Sequence, residues 1–95
     1  MAAPRSSRDS RGREIVLTAE RWQHILDGHP ELAAHEEEVL WAVRAPTEAL
    51  PGREPDEEWF YLRDAGPSRW LKVVVIFEGP TTGRIITAFP RRRKP

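Results

Sequence analysis

Trp70-Leu71-Lys72-Val73-Val74-Val75-Ile76-Phe77 is the stretch that decides the fold, an apolar run interrupted by one lysine. A run of this length, rich in β-branched residues, is typical of a strand inside a sheet. A turn containing glycine and proline follows, and a second apolar run occupies residues 84–89. Because burying an unpaired cation is costly, we expect the ammonium of Lys72 to reach solvent or a partner. This lysine is therefore the best indicator of chemistry in the chain.

The residues before this stretch predict a hairpin, with a strand at 59–63 and a turn at 64–69. A six-residue turn sets the cross-strand pairs, which are Arg63–Trp70, Tyr61–Lys72 and Trp59–Val74. Side chains alternate between the two faces of a sheet, so one face packs on helices and the other carries Trp59, Tyr61, Arg63, Trp70 and Lys72. Aromatic rings combined with cations are typical of a surface that binds nucleotides.

The register of the last strand is left open by the pattern. One register places Thr87 beside Lys72, and a shift of one residue places Arg84 and Ile86 there instead. The group nearest to the lysine is therefore not decided by the sequence.

The first half of the chain predicts two helices. Residues 15–17 form a short apolar lead-in, Thr18 is suited to cap the first helix, and Gly28 ends it. Pro30 opens the second helix and Pro46 stops it. A short edge strand is expected near residues 48–50. The sequence thus predicts an α+β fold, with two N-terminal helices packed on one face of a three- to four-stranded antiparallel meander.

Composition predicts one small domain at residues 14–90, between a disordered basic tail at 1–13 and a basic tail at 91–95. The tails carry net charges of +3 and +4, which leaves −7 on the body. They either only solubilise the protein or steer it toward a polyanion such as RNA. There is no cysteine, and no apolar run approaches the length of a membrane span. We therefore expect a cytoplasmic protein without disulfides or membrane contact.

Two histidines flank the end of the first helix and are candidates for acid–base chemistry. Helical spacing places His29 half-buried at the corner between the helices and leaves His24 more exposed. Imidazole titrates near neutral pH, so either ring suits proton transfer, although a corner or solvated role fits equally well. His35, in the apolar stripe of the second helix, is expected to be structural. The spacing of the three histidines does not predict a metal site.

These motifs together resemble the small nucleases of the barnase–EndoU–colicin–RelE-like superfamily, in its phage-associated and toxin-like branch. The resemblance covers residues 14–90. It rests on His24, on Gly28-His29-Pro30-Glu31-Leu32, on the Trp70–Val75 run, and on Ile86-Thr87-Ala88-Phe89-Pro90.

The resemblance implies a metal-independent endoribonuclease that needs no cofactor. A ribose 2′-hydroxyl would attack the adjacent phosphate of RNA, with His29 or His24 as acid or base. By the same resemblance, Lys72 would stabilise the phosphorane and Thr87 would donate to phosphate. Tyr61 and Arg63 would contact the substrate, and a cognate antitoxin or immunity protein is a possible partner. Arg84 is a further candidate for a substrate contact. The alternative is a catalytically inactive RNA- or protein-binding module with the same fold.

Overall fold

A computed structural model describes residues 3–93 as an α+β domain, as predicted. Thr18 caps the first helix by accepting a hydrogen bond from the backbone N–H of Arg21. Pro30 opens a short 3-10 turn, and the second α-helix begins only at Glu36. The elements in chain order are β1 (Arg5–Arg8), β2 (Glu14–Leu17), α1 (Ala19–Gly28), the 3-10 turn (Pro30–Leu32), α2 (Glu36–Arg44), β3 (Glu48–Pro51), β4 (Glu57–Arg63), β5 (Trp70–Phe77) and β6 (Thr82–Arg91).

The sheet is larger than predicted and mixed. Its order within the described residues is β1-β2-β6-β5-β4-β3. Strands β3 to β6 form the antiparallel meander that the sequence predicts, but β2 adds to β6 in parallel and β1 pairs antiparallel with β2. The prediction of a three- to four-stranded, wholly antiparallel sheet is therefore wrong, because the N-terminal segment joins the sheet.

The N-terminal segment up to residue 13 is not an unstructured tail over its described part. Arg5–Arg8 is a strand, and its edge position explains why it lacks an apolar pattern. The guanidinium of Arg5 pairs with the carboxylates of Glu36, at 3.2 Å, and Glu37 on α2. At the other end, Arg91 belongs to β6 rather than to a tail. Residues 1, 2, 94 and 95 lie outside the described residues.

The helices pack on one face of the sheet and bury its apolar side chains. The cross-strand pairs of β4 and β5 are those predicted, including Tyr61 opposite Lys72. Leu71, Val73 and Val75 are fully buried beneath the helices. The remaining members of this core include Ile15, Leu17, Ile25, Leu32, Val39, Val43, Phe60 and Ile85.

A bulge between Val74 and Val75 sets the register of β6. Val75 pairs with Ile85, whereas Val74 pairs with Thr87, so Ile86 is the extra residue. Phe89 consequently lies opposite Lys72. Neither predicted pairing of Lys72 is correct. The inserted residue exchanges the faces of the strand, so that Arg84 before the bulge and Thr87 and Phe89 after it share the face of Lys72.

Arg13 connects the N-terminal turn to the far side of the sheet. Its guanidinium donates to both carboxylate oxygens of Glu58 on β4, at 2.8 and 2.9 Å, and to Asp9 at 2.6 Å. It also lies 3.8 Å from the ring centroid of Phe77. Its side chain is 13% exposed, so these charge-assisted bonds are partly shielded from water.

Replacing Arg13 with alanine should lower the free energy of unfolding by about 1.5–3 kcal/mol, the cost of losing hydrogen bonds to charged groups. Urea denaturation followed by tryptophan fluorescence measures this. The matched control is Arg11→Ala in the same turn, where an exposed side chain is removed and a change within about 0.5 kcal/mol is expected. Equal losses in the two variants would contradict the proposed connection.

The same cluster should make stability depend on acid pH through Asp9. Burial alone would raise the pKa of Asp9, but hydrogen bonds from Arg13 and Arg11 outweigh it and hold that pKa below its ordinary value. The group therefore stabilises the fold at pH values above its unfolded pKa, and this contribution disappears as the pH falls through the folded pKa. The stability difference between the wild type and Asp9→Asn should shrink between pH 6 and pH 3 in urea denaturation. A difference that stays constant would refute this.

Candidate functional site on the open face of the sheet

The side chain of Lys72 lies among aromatic rings on the sheet face that points away from the helices. Its Nζ atom is 3.6 Å from the centroid of the Trp59 ring and 5.5 Å from those of Tyr61 and Phe89. Lys72 is 9% exposed. Among residues 3–93, no carboxylate lies within 4 Å of this nitrogen. Ring faces attract a cation without forming an ion pair with it, so the contacts of this nitrogen in the described residues are with aromatic rings and not with a carboxylate.

The sheet register places this lysine in a row of side chains that crosses four strands. Glu48 on β3, Tyr61 on β4, Lys72 on β5 and Phe89 on β6 are successive cross-strand partners. Thr87 lies one pair further along, opposite Val74 and diagonal to Lys72. A diagonal neighbour is still within reach of a long side chain. The predicted proximity of Thr87 and Lys72 is therefore a diagonal rather than a direct pairing.

His29, half-buried after the end of α1, contacts the same aromatic group. Its ring stacks on Phe89 with a centroid distance of 6.0 Å and an interplanar angle of 27°. Its Nδ1 atom lies 3.2 Å from a carboxylate oxygen of Glu31. Hydrogen bonds from the backbone N–H of Glu31 itself and from His29 hold the pKa of Glu31 below its ordinary value. A carboxylate at Nδ1 orients the imidazole and leaves Nε2 for a ligand.

Two other candidates lie away from this group. His24 is exposed on α1 and lines a shallow depression with neighbours from its own helix, such as Gln23 and Asp27. Arg84 lies towards the opposite end of β6, opposite Ile76, and pairs with Glu78 at 2.8 Å. Of the predicted residues, His29 and Lys72 share Phe89 as a neighbour, and Thr87 lies diagonal to Lys72 in the sheet. His24 and Arg84 lie elsewhere.

His35 precedes α2 as its N-cap residue rather than lying in an apolar stripe of that helix, and its hydrogen bond is structural. Its Nδ1 atom lies 2.6 Å from one carboxylate oxygen of Glu38, whose other oxygen accepts a hydrogen bond from the backbone N–H of Gly66 at 2.7 Å. These bonds connect α2 to the turn between β4 and β5.

Tyr61 is 2% exposed, so its ring has no free face on which a base could stack. Its hydroxyl instead accepts a hydrogen bond from Arg91 at 3.4 Å. Trp70 is also buried, at 7% exposure. The rings that remain half-exposed on this face are those of Trp59 and Phe89. Sequence reasoning does not single out Phe89, because its place opposite Lys72 depends on the bulge.

An arginine-lined cavity of about 760 Å³ opens at the end of the sheet where β4 ends and β5 begins. Of its cations, the sequence predicts only Arg63 as a substrate contact. The pattern places Arg69 in a turn and Arg92 in a tail, and neither position signals a site. The lining residues are Thr47, Glu48, Arg63, Asp64, Arg69, Trp70 and Arg92.

Three further observations bear on the type of protein. Within residues 3–93, no three His, Asp or Glu side chains are grouped so that they could hold a metal ion. None of the described helices is long and apolar enough to cross a membrane. Comparisons of the chain with protein-family models, with curated proteins and with solved structures found no match. Function is therefore inferred from the site itself and from the motif resemblance.

If Lys72 is present for binding rather than for folding, replacing it with methionine should change the free energy of unfolding by less than about 1 kcal/mol. The lost cation–π attraction is about 1 kcal/mol, and removal of a largely buried charge offsets it. The matched control is Leu71→Ala on the opposite face of the same strand, which should cost about 2–5 kcal/mol. Urea denaturation compares the two, and a similar loss in both would show that Lys72 is structural.

Proposed function

We propose that this protein is a metal-independent endoribonuclease whose reaction takes place on the open face of the sheet, beside Lys72. The observation that carries the proposal is the contact of both Lys72 and His29 with Phe89. An ammonium without a carboxylate partner and an oriented imidazole are suited to two roles in the transesterification of RNA, which are charge stabilisation and general-base catalysis. The motif resemblance supports the same reaction.

His29 acts as the general base in this proposal. Its Nε2 atom removes the proton from a ribose 2′-hydroxyl while Glu31 holds the ring through Nδ1. The 2′ oxygen forms a bond to the adjacent phosphorus. The bond from phosphorus to the 5′ oxygen breaks, and the departing oxygen takes a proton from water. The products are a 2′,3′-cyclic phosphate and a new 5′-hydroxyl.

Lys72 stabilises the charge that develops on the phosphorane oxygens. A compact ammonium already fixed by aromatic rings needs little reorganisation when that charge appears. The shielding of Lys72 from water strengthens its attraction for an anion. Thr87, diagonal to Lys72, supplies a hydroxyl donor to the same phosphate. The half-exposed rings of Trp59 and Phe89 supply the faces on which bases stack.

The purified protein should cleave single-stranded RNA in the presence of EDTA and release a 2′,3′-cyclic phosphate, detected by mass spectrometry of the fragments. Lys72→Met should lower the cleavage rate by about 10²–10³-fold, the effect of removing one charge-stabilising donor. His29→Ala should lower it by about 10²–10⁴-fold.

His24→Ala is the matched control, because it removes an exposed imidazole that lines a depression formed by residues of α1. Its rate should equal that of the wild type. A substrate with 2′-deoxyribose at every position should not be cleaved. The proposal fails if the protein binds RNA without cleaving it, which is the behaviour expected of a catalytically inactive binding module. It also fails if neither Lys72→Met nor His29→Ala lowers the cleavage rate.

A further inference from the structure

The cavity next to Lys72 is lined by arginines that make few ion pairs within the described residues. Arg63 and Arg69 are exposed, and Arg92 lies across from them after the end of β6. A second depression shares Arg69 and Arg92 with the first and extends toward Gly66 and Ser68. Only Arg63 has a carboxylate close to its guanidinium, Asp64 at 3.9 Å, among the described pairs. These side chains are thus available to an external anion.

The cavity lies next to the row of side chains that contains Lys72, and Glu48 belongs to both. Arg63, Trp70 and Arg91 form a row across β4, β5 and β6, immediately next to the row that contains Lys72. Adjacent rows on one face are separated by two residues, which is about 7 Å along the strands. This separation resembles that of successive phosphates in an extended polynucleotide. Arg91, which donates to the Tyr61 hydroxyl, therefore stands between the lysine and the cavity.

The other end of the sheet has the opposite charge. Arg53 there is surrounded in sequence by acidic residues, and Arg84 is paired with Glu78. The acidic side chains near this end, apart from Glu58, which is paired with Arg13, are Glu54, Asp56, Glu57 and Glu78. A polyanion whose phosphate lies at Lys72 is consequently attracted toward the arginines and repelled from the opposite direction.

We infer that this cavity binds the backbone phosphates of single-stranded RNA on one side of the cleaved bond. The inference rests on the proposed function. It adds that the RNA substrate is single-stranded and that its backbone extends from Lys72 into the cavity. Planar guanidinium groups match phosphate oxygens in pairs, and a volume of about 760 Å³ accommodates a nucleotide-sized group. A flexible single strand follows a concave surface, whereas a stiff duplex does not. Glu48 and Asp64 in the walls weaken the attraction for one isolated phosphate, so a strand with several phosphates is the occupant that fits.

The test uses a single-stranded oligonucleotide with 2′-O-methyl groups, which binds but cannot react, and measures fluorescence anisotropy over a range of salt concentrations. Arg63→Ala and Arg69→Ala should each weaken binding severalfold. Each should also reduce the slope of log affinity against log salt by about 0.7 for every phosphate that is no longer neutralised. Arg53→Ala, a matched exposed arginine at the acidic end, should leave both quantities unchanged.

Removal of the carboxylates should have the opposite effect. Glu48→Gln and Asp64→Asn should each strengthen binding severalfold, and asparagine tolerates the positive φ of 55° at position 64. Thermal denaturation of each variant verifies that it is folded. The inference is overturned if Arg63→Ala and Arg69→Ala behave like Arg53→Ala, or if a duplex of equal length binds as tightly. It is also overturned if polyglutamate competes as well as RNA, since the surface would then fit an acidic protein.

The two proposals fail separately. If the arginine variants bind normally but wild-type protein cleaves RNA in EDTA, the cavity assignment is wrong and the ribonuclease proposal stands. If wild-type protein binds RNA through the cavity and never cleaves it, the ribonuclease proposal is wrong and the cavity assignment stands.

Discussion

The registry of β4 against β5 is the constraint on which the rest of the structure depends. Tyr61 opposite Lys72 fixes which residues of both strands face the helices. Because side chains alternate along a strand, a slip of one residue would exchange the two faces. Leu71 and Val73 would then leave the core, and the ammonium would enter it without a partner. Hydrophobic burial by the helices and the cost of burying a lone charge therefore favour the same register, and together they keep the lysine on the open face.

This part of the fold is predictable because its signals are local. The turn of residues 64–69 fixes the pairing of its own strands, and the apolar alternation on either side agrees with it. β6 is predictable as a strand but not in register, because the bulge at Ile86 depends on how the strand fits its neighbours. β1 cannot be predicted from the sequence, because a short polar edge strand has no apolar pattern. Its position depends on interactions with distant residues, such as that between Arg5 and Glu36.

The candidate site is predictable to a similar degree. Lys72 stands out in the sequence because it is a charged residue within an apolar strand. His29 stands out because the motif around it resembles one in a known nuclease superfamily. Their common neighbour Phe89 looks like an ordinary core residue in the sequence. Arg69 and Arg92 are far apart along the chain, in a turn and beyond the last strand, and only the folded sheet brings them to one cavity. A site assembled from chain segments that carry no individual motif is not visible in a linear pattern.

The parallel pairing of β2 with β6 joins segments roughly 70 residues apart in sequence, and it spans only Glu14–Val16 and Thr82–Arg84. Such long-range pairings close late in folding, since the intervening loop entropy must be overcome first. As the chain emerges from the ribosome, β1, β2 and α1 have no sheet to join until β6 has been synthesised. The same strand carries Thr87, Phe89 and Arg91. The surface around Lys72 is therefore incomplete until β6 has been synthesised and has paired with β5.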